Sequence, residues 1–393
     1  MDWIKPKTIT GSPAEGDCYL RRQYINDEFW EKIRNNEHIL FVAPRRVGKS
    51  SVMKDLENSP EGCVAVYQNI ESDRNQREFF KRIFLLLLDR LKGHNRFIKR
   101  VGQWIKQRGI GEISAEGIKF ESKELSYKEE LLGLIEELGK EEDLRIVMML
   151  DEFPDVIQAI AKNDGDEAAI ETLRTLRKIR HDKEFKQFSF VFAGSVGLRH
   201  VVATLDRESL INDLAPVRID KLSDPEAHEL LNLLLNGVTM QMGLQERDYL
   251  LDKITYLLPY HIQLMVEKCD IILYVTKTTV ITRQDIDKAF DEVIKEGRNF
   301  NDWETRLTRY LVKEDSKYCI EILTRAAHIE GYTIQDAFNH SKKAAPVTGY
   351  KALLDDILIK DGYLVEENGR YFFLSPFLRE WWKNRHPEFE IED

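Results

Sequence analysis

A short segment that ends in a glycine, a lysine and a serine contains the first residues whose types could bind a ligand. The segment consists of Ala43, Pro44, Arg45, Arg46, Val47, Gly48, Lys49 and Ser50, and it is followed by Ser51. An apolar run precedes it and a predicted helix follows it, which is the setting of a loop that binds phosphate groups. Backbone N–H groups at the helix start would point at the phosphates, Lys49 would bridge two of them, and the Ser50 hydroxyl would ligate Mg²⁺. A lysine that begins a helix by chance is the alternative.

Two adjacent acids stand at the end of another apolar run, much further along the chain. Asp151 and Glu152 directly follow the apolar residues 146–150. If both runs are strands of one parallel sheet, the acids and the loop lie at the same edge, where ligands bind. Asp151 would then hold Mg²⁺, largely through water, and Glu152 would orient and deprotonate an attacking water molecule. Two solvated acids at a strand end are the alternative.

A serine follows a further apolar run at residues 188–193. Ser195 would stand at the tip of this strand, beside the terminal phosphate, and would sense it. A serine that forms a turn is the alternative. Together with Lys49 and Glu152, Ser195 completes the set of catalytic residues predicted for hydrolysis of a nucleoside triphosphate.

Short β-branched or aromatic runs recur between longer amphipathic stretches. These runs cover residues 39–43, 64–70, 146–150, 188–193 and 217–220. Alternation of this kind predicts an α/β fold in which helices cover a mostly parallel sheet. The nearly uniform apolar character indicates strands that are buried on both faces. Within the long insertion between the second and third strands, glycines predict a small hairpin around residues 109–117, flanked by helices at residues 79–91 and 129–138.

Changes of pattern divide the chain into three predicted domains. The sheet domain covers residues 1–220. A serine N-cap followed by a proline in the first helical turn then opens a series of helices, so residues 221–298 are predicted to form a helical lid. After a turn-rich stretch come helices and a hairpin on an Asn-Gly turn at residues 368–369. This order predicts a winged helix over residues 299–393.

The composition excludes several classes of protein. The chain has 393 residues, of which 42% are hydrophobic and 32% charged, as is typical of a globular protein. No apolar run approaches the roughly 20 residues that span a bilayer, and the first residues lack the apolar core of a signal peptide, so we expect a cytoplasmic protein without membrane contact. The formal net charge of −10 argues against a protein that coats nucleic acid. The four cysteines form no CxxC pair and indicate neither a disulfide framework nor a zinc site.

Residues 44–51 resemble the GPRRVGKTSL-type loop of the archaeal-type ATPases, a branch of the STAND and AAA+-like P-loop proteins related to the origin-recognition ATPases. Further segments are similar to motifs of this family. Residues 19–22 resemble the box before the loop, residues 150–153 its LDEF motif, and residues 194–195 its GS sensor. The resemblance implies ATP or ADP as the bound nucleotide, Mg²⁺ as the metal, and a P-loop sheet with strand order 5-1-4-3-2.

The resemblance extends into the lid and the C-terminal region. Residues 257–263 are similar to the family's GGxP motif, whose proline packs against the adenine, with leucines in place of both glycines. Pro259 is therefore the implied adenine contact, and no arginine occupies the motif, so the sensor-2 arginine of typical AAA+ proteins is expected to be absent. Residues 353–376 contain segments that resemble the winged-helix domain that often follows. The family implies a nucleotide-driven switch without specifying its substrate.

Arginines supply further candidates. Arg45 and Arg46 cannot both face phosphate, so Arg46 is expected to pair with an acid or with a neighbouring subunit. Three arginines recur at helical spacing after the two acids: Arg174, Arg177 and Arg180. In a homo-oligomer one of them would act as an arginine finger on the transferred phosphoryl group. A solvated helix face that pairs with Asp166 and Glu167 is the alternative.

The C-terminal region has an unfavourable charge balance for DNA. Residues 300–393 carry 17 acidic and 13 basic side chains, whereas contacts with phosphates rely on cations. Lysines near a predicted helix start at residues 342–351, with Arg370 on the wing, would be the DNA contacts. Protein contacts, or a clamp on the ATPase domain, are the alternative. Three aromatic residues fit either a stacking platform or a helix packed on the winged domain: Trp381, Trp382 and Phe389.

Three classes of function remain open on the sequence. The first is an ATP-hydrolysing switch whose nucleotide state controls the contacts of lid and winged helix with DNA or a partner protein. The second is a non-catalytic scaffold that stays loaded with nucleotide and acts through protein–protein contacts. The third is a sequence-specific transcriptional regulator with an ATPase sensor.

Overall fold

The computed structural model describes most of the chain, and three residues of interest fall outside the part that it describes. The described residues are 2–43, 45–91, 95–109, 111–114, 117–120, 125–141, 144–194, 198–297, 300–329 and 331–388. Pro44, Ser195 and Phe389, all singled out on the sequence, lie outside them. Within these stretches no helix is long and apolar enough to cross a membrane.

Strands and helices alternate through the first half of the chain, and helices dominate the second half. The strands are β1 Ile39–Val42, β2 Val64–Asn69, β3 Gly111–Ser114, β4 Gly117–Phe120, β5 Ile146–Asp151, β6 Phe188–Gly194, β7 Ala215–Val217, β8 Tyr332–Thr333, β9 Leu364–Glu367 and β10 Arg370–Phe373. The helices are α1 Gln23–Arg34, α2 Lys49–Asn58, α3 Gln76–Leu91, α4 Asn95–Gln107, α5 Tyr127–Gly139, α6 Phe153–Asp164, α7 Asp166–His181, α8 Leu198–Ala203, α9 Asp224–Leu235, α10 Leu244–Ile254, α11 Pro259–Thr276, α12 Arg283–Glu296, α13 Asn301–Tyr310, α14 Lys313–His328, α15 Ile334–Ala344, α16 Tyr350–Ala352, which continues into a π-helical stretch Leu353–Ile359, and α17 Pro376–Arg385.

A parallel sheet organises one compact unit, which comprises residues 22–42 and 52–218. Its strand order is β2-β5-β6-β1-β7, and every neighbouring pair is parallel. Counted by the five strands of this sheet, the order is 5-1-4-3-2, so the predicted P-loop α/β fold is confirmed. The central strands β5 and β6 are buried along their whole length, as expected where helices cover both faces.

The register of this sheet aligns the carboxyl ends of its central strands. Asp151, the last residue of β5, pairs with Asn69 of β2, and Gly194 at the end of β6 pairs with Val42 of β1. Because the strands are parallel, β1 and β5 end at the same edge of the sheet. The loop at residues 43–48 follows β1 directly in the chain.

Two elements of this unit differ from the sequence prediction. The last strand of the sheet covers Ala215–Val217 and not residues 217–220. Pro216 lies inside it, which an edge strand tolerates because only one side of its backbone joins the ladder. Helix α4 was not predicted, although Val101, Trp104 and Ile105 recur at helical spacing and are buried. The hairpin predicted around residues 109–117 is present as β3 and β4.

The other compact unit combines residues 1–21, 43–51 and 219–393. Its helices α9 to α12 follow the predicted lid pattern: Ser223 caps α9 in a capping box with Glu226, and Pro259 is the first residue of α11. The phosphate-loop segment belongs to the same unit as the lid and the C-terminal region. The division of the chain at residues 220 and 298 therefore stays a prediction.

A winged helix forms the C-terminal part of this unit. Helix α14, strand β8, helices α15 and α16 and the hairpin β9–β10 follow one another in the order that the fold requires, and the small sheet has the order β8-β10-β9. The hairpin turns on Asn368 and Gly369, both with positive φ, as in the type I′ turn expected for Asn-Gly. Trp382 is fully buried in α17 and donates a hydrogen bond to Thr324. It packs within the domain and is not a platform for stacking a ligand.

A buried aspartate holds the turn that leads into α16. Asp315 Oδ1 accepts hydrogen bonds from the backbone N–H groups of Val347 (2.7 Å) and Thr348 (3.2 Å). We expect Asp315→Ala to lower the free energy of unfolding by about 3 kcal/mol, because two N–H groups lose a charged acceptor. Urea unfolding followed by tryptophan fluorescence measures this loss. Glu314→Ala, at an exposed position in the same helical turn, is the control and should change stability by less than about 0.5 kcal/mol.

Candidate nucleotide site

The segment between β1 and α2 has the backbone of an anion-binding loop. Gly48 has φ of +103° and Arg46 has φ of +68°, and α2 begins immediately afterwards at Lys49. Left-handed residues ahead of a helix start form the concave nests of N–H groups that bind phosphate. Gly48 needs the freedom of glycine here, because a side chain is strained at this φ. Ala43 stands where a loop of the GxxxxGK[ST] pattern begins with glycine. It is not among the left-handed residues of the described chain, so alanine occupies this position without backbone strain.

Lys49 lies across the loop. Its side chain is buried, and Nζ donates a hydrogen bond of 2.6 Å to the carbonyl oxygen of Ala43, at the other end of the loop. The ammonium group is thus held across the segment that carries the left-handed residues. Ser50 and Ser51 occupy the next two positions in the first turn of α2.

The two arginines of the loop are held by different partners. Arg45 forms an ion pair of 2.6 Å with Asp302, in the first turn of α13. The guanidinium of Arg46 lies 4.1 Å from the ring centroid of Tyr260, the second residue of α11. Burial lowers the pKa of Arg46 from its ordinary value. Among the described residues Arg45, and not Arg46, forms an ion pair with an acid, and the pairing of Arg46 with a neighbouring subunit stays a prediction.

The acidic motif lies in the unit that contains the sheet. Asp151 is buried at the end of β5, where Oδ2 accepts a hydrogen bond of 3.1 Å from the Tyr67 hydroxyl of β2. Oδ1 accepts a hydrogen bond of 3.1 Å from the backbone N–H of Glu152. Tyr67 and Asp151 come from adjacent strands, so the sheet itself orients this carboxylate. The sequence offered no signal for Tyr67, because the contact depends on which strand lies beside β5.

Removal of the Tyr67 hydroxyl tests its role in orienting Asp151. If Asp151 holds Mg²⁺ for ATP as the sequence predicts, Tyr67→Phe should raise the Mg²⁺ concentration needed for half-maximal ATP binding by about tenfold, since partners that orient a metal-binding carboxylate contribute this much to metal affinity. Titration of Mg²⁺ at fixed ATP measures the shift. Tyr127→Phe, on α5, is the control. An unchanged midpoint in Tyr67→Phe would rule out an orienting role for this hydroxyl.

Glu152 occupies an unusual backbone conformation. It is the N-cap of α6 with φ of +58° and ψ of +35°, in the left-handed region. Such a residue costs on the order of 1 kcal/mol unless it is glycine, and strain of this kind concentrates at functional sites. The conformation turns the chain abruptly from β5 into α6, directly after Asp151.

The remaining sequence candidates occupy varied environments. Arg180 is buried and forms a two-pronged ion pair with Asp213, with Nε at 2.7 Å from Oδ2, so it is not presented to another subunit. Arg174 pairs with Glu167 at 2.7 Å, which is the alternative considered on the sequence, and Arg177 contacts an asparagine. Sequence reasoning did not identify Tyr260 and Asp302 as partners of the loop. For Tyr260 the signal available was its position beside Pro259.

Known proteins support the class that the fold and the site define. Residues 33–202 match the model of the AAA domain family. The Walker-type ATPase PABY2304 of Pyrococcus abyssi is similar in structure, with a TM-score of 0.65, 17% sequence identity, and coverage of 93% of this chain and 96% of that one. The ORC2 protein of Aeropyrum pernix, solved with ADPNP and ADP, matches with a TM-score of 0.49 and 11% identity over 98% of this chain and 100% of that one. No curated protein matches the sequence significantly.

Residues 33–202 therefore match the AAA domain family, and this match covers the strand–loop–helix segment and the two acids. The AAA-type affiliation that the motifs predicted is confirmed for this region, and the similarity in fold to PABY2304 extends over nearly the whole chain.

Proposed function

We propose that this chain binds Mg-ATP, hydrolyses it, and uses its nucleotide state to control the contacts of its lid and winged helix with a partner. The observation that carries the proposal is the strand–loop–helix segment in which Lys49 is held over the loop, within a chain that has an AAA domain. Phosphate binding, magnesium binding and hydrolysis are each assigned to particular residues.

Phosphate binding rests on the loop and the start of α2. The N–H groups of residues 45–50 and the positive end of the helix dipole would hold the β- and γ-phosphates. Lys49 would exchange its bond with the Ala43 carbonyl for phosphate oxygens, which are stronger acceptors because they are charged. Pro259, at the start of α11, is the proposed contact of the adenine.

The residues present fit a magnesium ion. Ser50 supplies a hydroxyl, and Asp151 supplies a carboxylate that Tyr67 and a backbone N–H already orient, and such hard oxygen donors suit Mg²⁺. When bound, the ion would neutralise charge on the phosphates. Glu152 would hold the attacking water and accept its proton, and Ser195 would sense the γ-phosphate.

A winged helix more commonly suggests DNA, but the charges in this one favour a protein partner. Lys351 forms an ion pair of 2.7 Å with Asp355, and Lys360 pairs with Asp356, both one helical turn away. These aspartates compete with phosphates for the lysines of the helix that would enter the major groove. Gel-shift titration of the full chain against mixed duplexes should show no binding at low salt. A shift that disappears as salt increases would instead support the DNA-binding alternative.

Calorimetry with the purified chain tests the nucleotide proposal. ATP should bind in the presence of Mg²⁺ and more weakly after its removal, and release of phosphate should accompany incubation. Native mass determination with ATP and with ADP then shows whether a homo-oligomer forms in either state. Absence of Mg²⁺-dependent ATP binding would refute the proposal. Binding without phosphate release would favour the nucleotide-loaded scaffold.

A further inference from the structure

The two arginines of the phosphate loop connect it to the lid and to the start of the C-terminal helices. Arg45 reaches Asp302 on α13, and Arg46 stacks on Tyr260 of α11. Arg45 and Asp302 are 257 residues apart in sequence, although the loop and both partners belong to one compact unit. A nucleotide at the loop would therefore contact two arginines that already bind Asp302 and Tyr260.

Asp302 is anchored to the body of the winged helix. Trp303, the next residue of α13, is buried, and its backbone carbonyl accepts a hydrogen bond of 2.7 Å from the Tyr363 hydroxyl. The two rings also meet edge to face at 4.9 Å. Tyr363 directly precedes β9, so this end of α13 and the small sheet of the winged helix are packed as one body.

The Arg45–Asp302 pair contains an arginine that a triphosphate would attract. The Asp302 side chain is 53% exposed, so the pair is partly screened by solvent and contributes modestly to stability. A triphosphate in the loop carries several negative charges close to Arg45, against the single charge of Asp302. An arginine binds both kinds of anion through the same planar donors, so the two compete for one guanidinium.

We propose that the Arg45–Asp302 ion pair is a latch that holds α13 at the phosphate loop when no nucleotide is bound. ATP opens this latch by drawing Arg45 away from Asp302. The latch rests on the proposed binding of ATP, and it adds the contact through which ATP binding at the loop would change the position of α13 and hence of the winged helix. Coupling of this kind is reciprocal: if ATP opens the latch, a protein without the latch binds ATP more tightly.

Asp302→Asn removes the acid of the latch and leaves the residues of the phosphate loop unchanged. We expect it to bind Mg-ATP roughly fivefold more tightly than the unaltered chain in calorimetry, the gain expected when a partly exposed ion pair no longer competes. Asp302→Glu should retain an ion pair and lie nearer the unaltered chain. Glu304→Gln is the matched control, because Glu304 lies on the same helix and pairs with Arg385 instead of the loop. It should leave the ATP affinity unchanged.

Hydrogen exchange over residues 301–310 supplies the second readout. ATP should speed exchange in the unaltered chain and in Glu304→Gln, whereas Asp302→Asn should exchange fast with or without ATP. Equal or weaker ATP affinity in Asp302→Asn, or an ATP response of α13 that survives in it, overturns the latch. If the unaltered chain itself binds no ATP, the proposed function fails, and this outcome differs from a latch failure, in which ATP binds equally well to both proteins.

Discussion

Lys49→Ala should bind Mg-ATP at least about a hundredfold more weakly than the unaltered chain, because it removes the ammonium group that lies across the phosphate loop. The lysine bridges the loop through its bond to Ala43 and would exchange that bond for two phosphates. Loss of one partner from a buried charge pair costs about 2–5 kcal/mol, which corresponds to a loss of affinity between tens- and thousands-fold. Isothermal titration with Mg-ATP measures it directly.

The matched control for this change is Lys54→Ala, on the same helix one turn further from the loop. It removes the same charge and should leave ATP affinity within about twofold, because its contribution is limited to screened, longer-range attraction. Circular dichroism of both variants verifies that α2 remains folded. An affinity for ATP that survives in Lys49→Ala would contradict the assignment of residues 43–50 as the phosphate loop.

Glu152→Gln should bind ATP normally but release phosphate about 10²- to 10⁴-fold more slowly, the range that a positioned general base contributes. Glutamine has nearly the same shape and can occupy the same left-handed N-cap position, but it cannot accept the proton of the attacking water. Single-turnover release of phosphate from bound ATP measures the chemical step, and calorimetry on the same sample measures binding.

Glu167→Gln is the control for Glu152→Gln. Glu167 is exposed at the start of α7, where it pairs with Arg174, and the change should leave both binding and turnover unaltered. Unchanged turnover in Glu152→Gln, with ATP still bound, would contradict the catalytic role and support the nucleotide-loaded scaffold. Equal loss of binding and turnover would instead assign Glu152 to the binding of ATP.

The motifs at the site could be read from the sequence because their signals are local. A loop that ends in Gly48 and Lys49 requires only a strand before it and a helix after it, and the acids at residues 151–152 require only the strand that they follow. The same holds for the Asn-Gly turn of the wing and the capped start of α9. In each case the chemistry and the conformation depend on neighbours within a few residues.

Local pattern was insufficient where tertiary packing decides the conformation. The edge strand β7 ends at Val217 and carries a proline inside it, because its boundaries depend on pairing with β1. The π-helical stretch Leu353–Ile359 has no sequence signature of its own among apolar and acidic residues. The affiliation with P-loop ATPases predicted the strand order, which local patterns could not supply.

By itself the sequence determined the strand–loop–helix segment around residues 43–50, the strand that ends in two acids and the α/β alternation, since each is specified by short-range steric preferences and the spacing of apolar residues. Only the tertiary structure decided that Tyr67 orients Asp151, that Arg46 stacks on Tyr260, and that Arg45 pairs with Asp302. These contacts join residues that are 84 to 257 positions apart. Ion pairs and contacts between a cation and a ring form only when the groups are a few ångströms apart, so the way the elements pack determines which of the many acids and rings of the chain serves as a partner.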